Sequence, residues 1–166
     1  MIDPLVINLD IPSAKLTDQK SDFDLDADGK SENISFLSPG SGFIALDIND
    51  DGIINDGNEL FGTKVGDGFY ELSAYDADDN GWIDENDPIY EKLRIWTKDE
   101  SDNDHLFALG QKGVGAIYLG NVSTDFGLKN SSNNTNGQIK KTGIYLNENG
   151  RSSDTRGDLC QAIIAQ

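Results

Sequence analysis

Asp76-Ala-Asp78-Asp-Asn80-Gly81-Trp82-Ile83-Asp84-Glu-Asn-Asp87 places oxygen-bearing side chains at alternate positions and then turns on a glycine. In a loop that curls around an ion, the first, third and fifth side chains point inward together. The sixth residue must turn sharply, which glycine does without steric cost. Here those positions hold Asp76, Asp78, Asn80 and Gly81. Trp82 then offers its backbone carbonyl, Ile83 is apolar and suited to tuck beneath the loop, and Asp84 and Asp87 supply further carboxylates. A donor set made only of oxygen suits a hard cation, Ca²⁺ before Mg²⁺, because Mg²⁺ keeps more of its waters.

The spacing is that of an EF-hand loop, and it occurs twice more. The second copy has Asp47, Asn49, Asp51 and Gly52, with Ile53 as the carbonyl donor, Ile54 at the apolar position and Asn55 next. Its twelfth position is Asn58, and Glu59 lies one residue late; carboxylate charge does most for calcium affinity, so Glu59 is the expected last ligand. The first copy has Asp24, Asp26, Asp28 and Gly29, then Lys30 as carbonyl donor and Glu32 at the ninth position. Ser31 and Ser35 stand where an apolar residue and the closing acid belong, so this loop needs ligands from elsewhere or water. A fourth acidic cluster, Asp99 to Asp104, lacks both the glycine and the alternation and reads as a solvated loop.

Composition agrees with a cation-binding chain. Thirty acids oppose 13 bases over 166 residues, a formal charge of -17. Self-repulsion on that scale opposes a compact state unless cations neutralise it. No basic patch is visible, which argues against nucleic acid or an anionic membrane as partner. No apolar run approaches the ~20 residues needed to span a bilayer. The leading residues lack the basic start and apolar stretch of a signal peptide, so either Met1 is an artificial start or export uses a signal elsewhere in a longer protein. Cys160 is the single cysteine and admits no internal disulfide. Four Asn-x-Ser/Thr matches, at Asn33, Asn121, Asn130 and Asn133, are what chance gives in a chain this rich in Asn and Ser.

Periodicity predicts an α+β fold: one domain of short helices and strands organised by the loops, over residues 1–166. Residues 1–21 read as a leading strand (Leu5 to Leu9) and a loop from Ile11 to Ser21, residues 22–104 as the calcium-loop region, and residues 105–166 as helix, strand and C-terminal β-hairpin. Gly68 to Tyr75 has helical spacing at Phe69, Leu72 and Tyr75. Pro88 to Trp96 reads as the best helix, with Asp87 as N-cap and Ile89, Leu93 and Trp96 on one face. Leu106 to Gln111 reads as a further short helix, Ile34 to Leu37, Phe43 to Leu46 and Val114 to Leu119 as strands, and Asp125 to Gly137 as a mobile Asn/Ser-rich stretch. Gln138 to Leu146 and Arg151 to Leu159 form the hairpin. The sequence argues against a calmodulin-like sensor: Gly and Pro crowd the flanks of the second loop, and the sole Met is Met1.

Five segments occur in a telling order: Asp3-Pro-Leu-Val-Ile-Asn-Leu9, Gly42-Phe-Ile-Ala-Leu-Asp47, Asn58-Glu-Leu-Phe-Gly62, Lys92-Leu-Arg-Ile-Trp96 and Gly113-Val-Gly-Ala-Ile117. With Thr142-Gly near the end, the chain resembles the self-processing module of bacterial RTX (repeats-in-toxin) proteins over nearly its whole length. The resemblance implies a secreted or surface protein in which calcium folds the module. It also implies that the Asp3-Pro4 bond is cut and that the new C-terminal aspartate can be joined to a lysine amine of an acceptor protein. Asp3 and Pro4 are then the catalytic pair. A carboxylate one methylene from its own backbone carbonyl can attack it and close a five-membered anhydride, with the proline nitrogen leaving once protonated. What the fold adds is geometry and a proton donor.

The chain departs from that family in three places. Leu9-Asp-Ile-Pro-Ser-Ala-Lys15 replaces an acidic loop after the first strand, Gly40-Ser41 replace an acidic pair, and the segment from Lys98 to His105 is a shortened calcium loop. The alternative is therefore a calcium-stabilised structural or adhesion domain without catalysis. Either way a monomer is expected.

Overall fold

The computed structural model describes residues 4–9, 16–37, 40–65, 67–99, 101, 103–129, 135–147 and 156–164. Its strands are β1 (Leu5–Asn8), β2 (Leu16–Phe23), β3 (Glu32–Leu37), β4 (Ser41–Leu46), β5 (Trp82–Asp84), β6 (Leu93–Lys98), β7 (Asp104–Ala108), β8 (Val114–Tyr118), β9 (Val122–Lys129), β10 (Thr135–Asn147) and β11 (Arg156–Ile164). Among the described residues a six-residue helix, α1 (Gly68–Ser73), and 3-10 turns at Gly57–Glu59 and Gly110–Lys112 complete the elements.

Nine strands form one sheet in the order β5-β8-β10-β11-β1-β4-β6-β7, with β9 also against β10. β2 and β3 form a separate antiparallel hairpin. Every pairing among these strands is antiparallel. The α+β expectation is thus corrected to a mostly antiparallel β fold. β1 lies in the middle of the large sheet, with Leu5 opposite Gln161 of β11 and Val6 opposite Phe43 of β4.

Both faces of the central strands are covered, which is why Leu5-Val-Ile7 and Phe43-Ile-Ala45 are apolar without alternation. On one face Val6, Phe43, Ala45 and Trp96 pack with Phe23, Leu25, Ile34 and Phe36 of the β2–β3 hairpin. The rings of Phe23 and Phe36 lie 4.9 and 5.0 Å from that of Trp96. On the other face Leu5, Ile7, Ile44, Leu93 and Ile95 pack with Phe69 and Leu72 of α1 and with Ile83, Val114 and Ile117. Burial of this kind is worth about 1.5–3 kcal/mol per large side chain.

α1 forms over the first part of the predicted helix, capped by the Asp67 side chain on the Tyr70 N–H at 3.1 Å, and ends at Ser73, leaving Tyr75 outside it. Lys141 of β10 bonds the same carboxylate at 2.6 Å. Burial alone would raise the Asp67 carboxyl, but the Lys141 ammonium and the Tyr70 N–H outweigh it and hold it below its ordinary value.

Two expected helices are strands. Residues 88–92 are consecutive turns and Leu93–Lys98 is β6. Trp96 packs on the face opposite Ile89 and Leu93, an alternation that only a strand provides. Asp87 does not cap a helix because its carboxylate faces back into the third loop. Likewise Leu106 lies in β7 opposite Trp96, and helical structure begins only at Gly110. The predicted loop from Ile11 to Ser21 contains β2 from Leu16 onward, and the Asn/Ser-rich stretch contains the end of β9 and the start of β10. β10 and β11 pair over Gly137–Leu146 as the expected hairpin; the turn between them, with Glu148 to Gly150, lies outside the described residues.

Candidate metal loops and the leading strand

The three acidic loops share one backbone path. The fourth residue of each, Ala27, Asp50 and Asp79, is left-handed with φ of 58, 58 and 56°, and the sixth, Gly29, Gly52 and Gly81, has φ of 91, 80 and 83°. A non-glycine residue in that region is uncommon and costs energy, so its threefold recurrence reflects the wrap of the chain rather than local preference. The first side chain of each loop accepts from the N–H of the sixth residue: Asp24 from Gly29 at 2.9 Å, Asp47 from Gly52 at 2.7 Å and Asp76 from Gly81 at 2.9 Å. The fifth accepts from the seventh: Asp28 from Lys30, Asp51 from Ile53 and Asn80 from Trp82, all at 2.8–2.9 Å. Lys30, Ile53 and Trp82, the expected carbonyl donors, thus follow directly on the wrap.

Each loop is closed by a carboxylate that accepts from the N–H of its second residue. In the third loop Asp87 takes Ala77 N–H at 2.8 Å and Asp84 N–H at 3.0 Å, and is only 1% exposed. In the second loop Glu59 takes Ile48 N–H at 3.0 Å and Asn55 N–H at 2.7 Å, and is 4% exposed. Asn58 faces solvent. In the first loop Glu32 takes Leu25 N–H at 2.9 Å, so an acid three positions early does the closing. That role is invisible from the twelve-residue template. The signal for it is that the first loop lies inside the β2–β3 hairpin, where Glu32 begins the returning strand opposite Phe23.

Among the described residues, two clusters gather carboxylates closely enough to hold a metal ion: Asp24, Asp26, Asp28 and Glu32, and Asp76, Asp78 and Asp87, with one oxygen of each within 4.8 Å of the others. In the second loop Asn49 and Asn55 stand among the acids, and their amides bond each other and Asp51. Asp84 accepts from the Asn80 amide at 3.4 Å on the rim of the third loop. Crowding has an electrostatic signature there. Loss of water around Asp78, with Asp76 and Asp87 beside it, pushes its carboxyl above the ordinary value. A positive ion among these oxygens would reverse that push, and an all-oxygen set of this kind fits Ca²⁺.

The fourth acidic segment is built differently. Asp99 caps the β6–β7 turn, accepting from the N–H of Ser101 at 2.9 Å and of Asn103 at 3.0 Å, and lies 3.0 Å from His105 Nε2. Its carboxyl serves the hairpin itself.

Of the expected catalytic pair, Pro4 is buried and leads into β1, while Asp3 lies outside the described residues. The Leu5 N–H bonds Phe61 O at 2.8 Å. Among the described residues no helix is long and apolar enough to cross a membrane.

The chain matches the SPM domain family over residues 5–159. It belongs to that family. This SPM domain is also 27% identical over 176 residues to the iron-regulated protein FrpA of Neisseria meningitidis serogroup C. The alignment covers 96% of the chain and 15% of the relative, so the domain spans a small part of that protein. Membership agrees with the resemblance drawn from the five ordered segments and carries with it neither the ion nor the cut.

Proposed function

We propose that this SPM domain is a calcium-dependent self-processing module of a secreted or surface protein, cutting its own Asp3-Pro4 bond. The observation that carries the reading is the position of Pro4: it is buried and leads into the strand at the centre of the sheet, whose Leu5 N–H is held by Phe61 O, two residues past Glu59, which closes the second acidic loop. Bound calcium would supply the positive charge that lets the loop carboxylates lie together. Asp24, Asp26, Asp28 and Glu32 would hold one ion. Asp76, Asp78, Asn80, Asp84 and Asp87 would hold another, and Asp47, Asn49, Asp51, Asn55 and Glu59 a third.

The cut itself needs only the chain. The Asp3 carboxylate attacks the Asp3 carbonyl carbon, the C–N bond to Pro4 breaks, and the Pro4 nitrogen takes a proton from a neighbouring donor or water and leaves as a secondary amine. The cyclic anhydride is then opened by water, or by a lysine amine to give a new amide. Holding the reacting groups in one geometry is the fold's contribution.

The test is mass spectrometry of a chain carrying a tag ahead of Ile2, with and without Ca²⁺. Release of the tag with Asp3 at its end and Pro4 as the new N-terminus supports the reading. A folded, calcium-loaded chain that stays intact for days at mildly acidic through neutral pH overturns it. The alternative, a calcium-stabilised domain without catalysis, is favoured by one observation: the family match starts at Leu5, just past the Asp3-Pro4 pair.

A further inference from the structure

The segment from Asp56 to Phe61 touches both of the first two acidic loops and two strands of the large sheet. At its start, Gly57 N–H bonds the Asp24 carbonyl in the first loop at 2.8 Å. In its middle, Glu59 closes the second loop through Ile48 and Asn55. Leu60 bridges Ala45 of β4, and the carbonyl of Phe61 accepts the Leu5 N–H. The junction is tight on its far side as well. A Cβ on Gly68 would stand 2.9 Å from Leu5 Cβ and 3.3 Å from Phe61 O.

We propose that this segment is a relay: closure of the first two loops around a cation fixes Phe61 O, and Phe61 O fixes the peptide plane between Pro4 and Leu5. The relay rests on the proposed function for the cation in the loops and for the bond it positions. The proline ring locks φ of Pro4. One torsion, ψ of Pro4, then separates the held plane from the Asp3-Pro4 plane. Charge at Glu59 therefore governs the geometry of a bond several residues away in space and more than fifty in sequence. Gly68 is a positioning residue in the same arrangement, since only a residue without a side chain lets Leu5 and Phe61 close on each other.

Amide hydrogen exchange on the whole chain tests this, with calcium alone as the probe. The readout is the exchange rate of Leu5 relative to Ile95, which is paired on both sides within the sheet. Glu59→Gln in excess calcium should raise that ratio about tenfold or more, because Leu5 opens locally while the sheet holds. Asp76→Asn, in the third loop, should leave the ratio within about twofold. An unchanged ratio in Glu59→Gln, or an equal rise in Asp76→Asn, overturns the relay. If Glu59→Gln does not fold, Glu59→Asp, which keeps the charge and shortens the reach, is read by the same ratio. In the tagged chain Glu59→Gln should also cut at least about tenfold more slowly than the parent. If the parent chain does not cut at all, the functional reading fails and the exchange ratio alone judges the relay. If the parent cuts and the ratio does not move, the relay fails and the functional reading stands.

Discussion

Gly57 lies so close to Leu25 that a methyl group on its Cα would overlap the Leu25 carbonyl, and its own N–H is bonded to the neighbouring Asp24 carbonyl. The first two acidic loops are therefore one body, joined backbone to backbone. Gly57→Ala has no room to relax, since the opposing atoms are main chain. Chemical denaturation in calcium should show a loss of about 3 kcal/mol or more. Gly52→Ala meets nothing within 4 Å and bears only the cost of φ +80°, so its loss should be about 1–2 kcal/mol. Equal losses would mean that the two loops are not joined this way.

Removing calcium should loosen the whole domain. A ligand that binds only the folded state at about a hundred times its dissociation constant adds ~2.7 kcal/mol per site. With a formal charge of -17 and crowded carboxylates in the loops, the chelated protein should melt well below the calcium-loaded one. Calorimetry should count at least two ions per chain. Asp76→Ala should lower the melting temperature in calcium more than Asp99→Ala, because Asp99 serves a hairpin. A melting temperature indifferent to chelator would contradict this.

The tagged chain offers a graded series at the leading pair. Asp3→Asn should abolish release, the amide being a far poorer nucleophile. Asp3→Glu should slow it strongly, since a six-membered ring closes less readily, and Pro4→Ala should slow it by removing the good leaving group. All three should bind calcium as the parent does. Release by Asp3→Asn at the parent rate would exclude the anhydride route.

Acid should open the β6–β7 turn late. N–H groups of Asn103, then His105 beside it, hold the Asp99 carboxyl at about 2 against an ordinary 3.8. A carboxyl lowered in the folded state favours folding at pH above about 3.8 and loses that contribution as pH falls toward about 2. Titration of the Asp99 carboxyl followed by NMR should show a midpoint near the lower figure. A midpoint near 3.8 would mean that the turn is not capped in solution.

The loops were legible because ligand spacing is local: Asp76, Asn80 and Gly81 need only each other to announce a wrap. Glu32 was not, because its part as the closing acid depends on a hairpin partner that spacing does not reveal. The sheet was hardest to read. Ile89, Leu93 and Trp96 fit a helical stripe by coincidence, and the competing signal, β-branched Ile95 and Thr97 in a strand buried on both faces, leaves no alternation to find. The α1 helix was readable because Phe69 and Leu72 share one face over a single capped turn and a half.

β1 owes one whole edge to β11, whose residues lie more than 150 positions further along the chain. A ribosome delivers these two strands more than 150 residues apart. Until residues 156–164 have emerged, Leu5 lacks a neighbour on that side, and a central strand is left as a raw edge. The domain thus carries a clock set by its own length, so that whatever the ordering of β1 enables is withheld until the final strand has arrived.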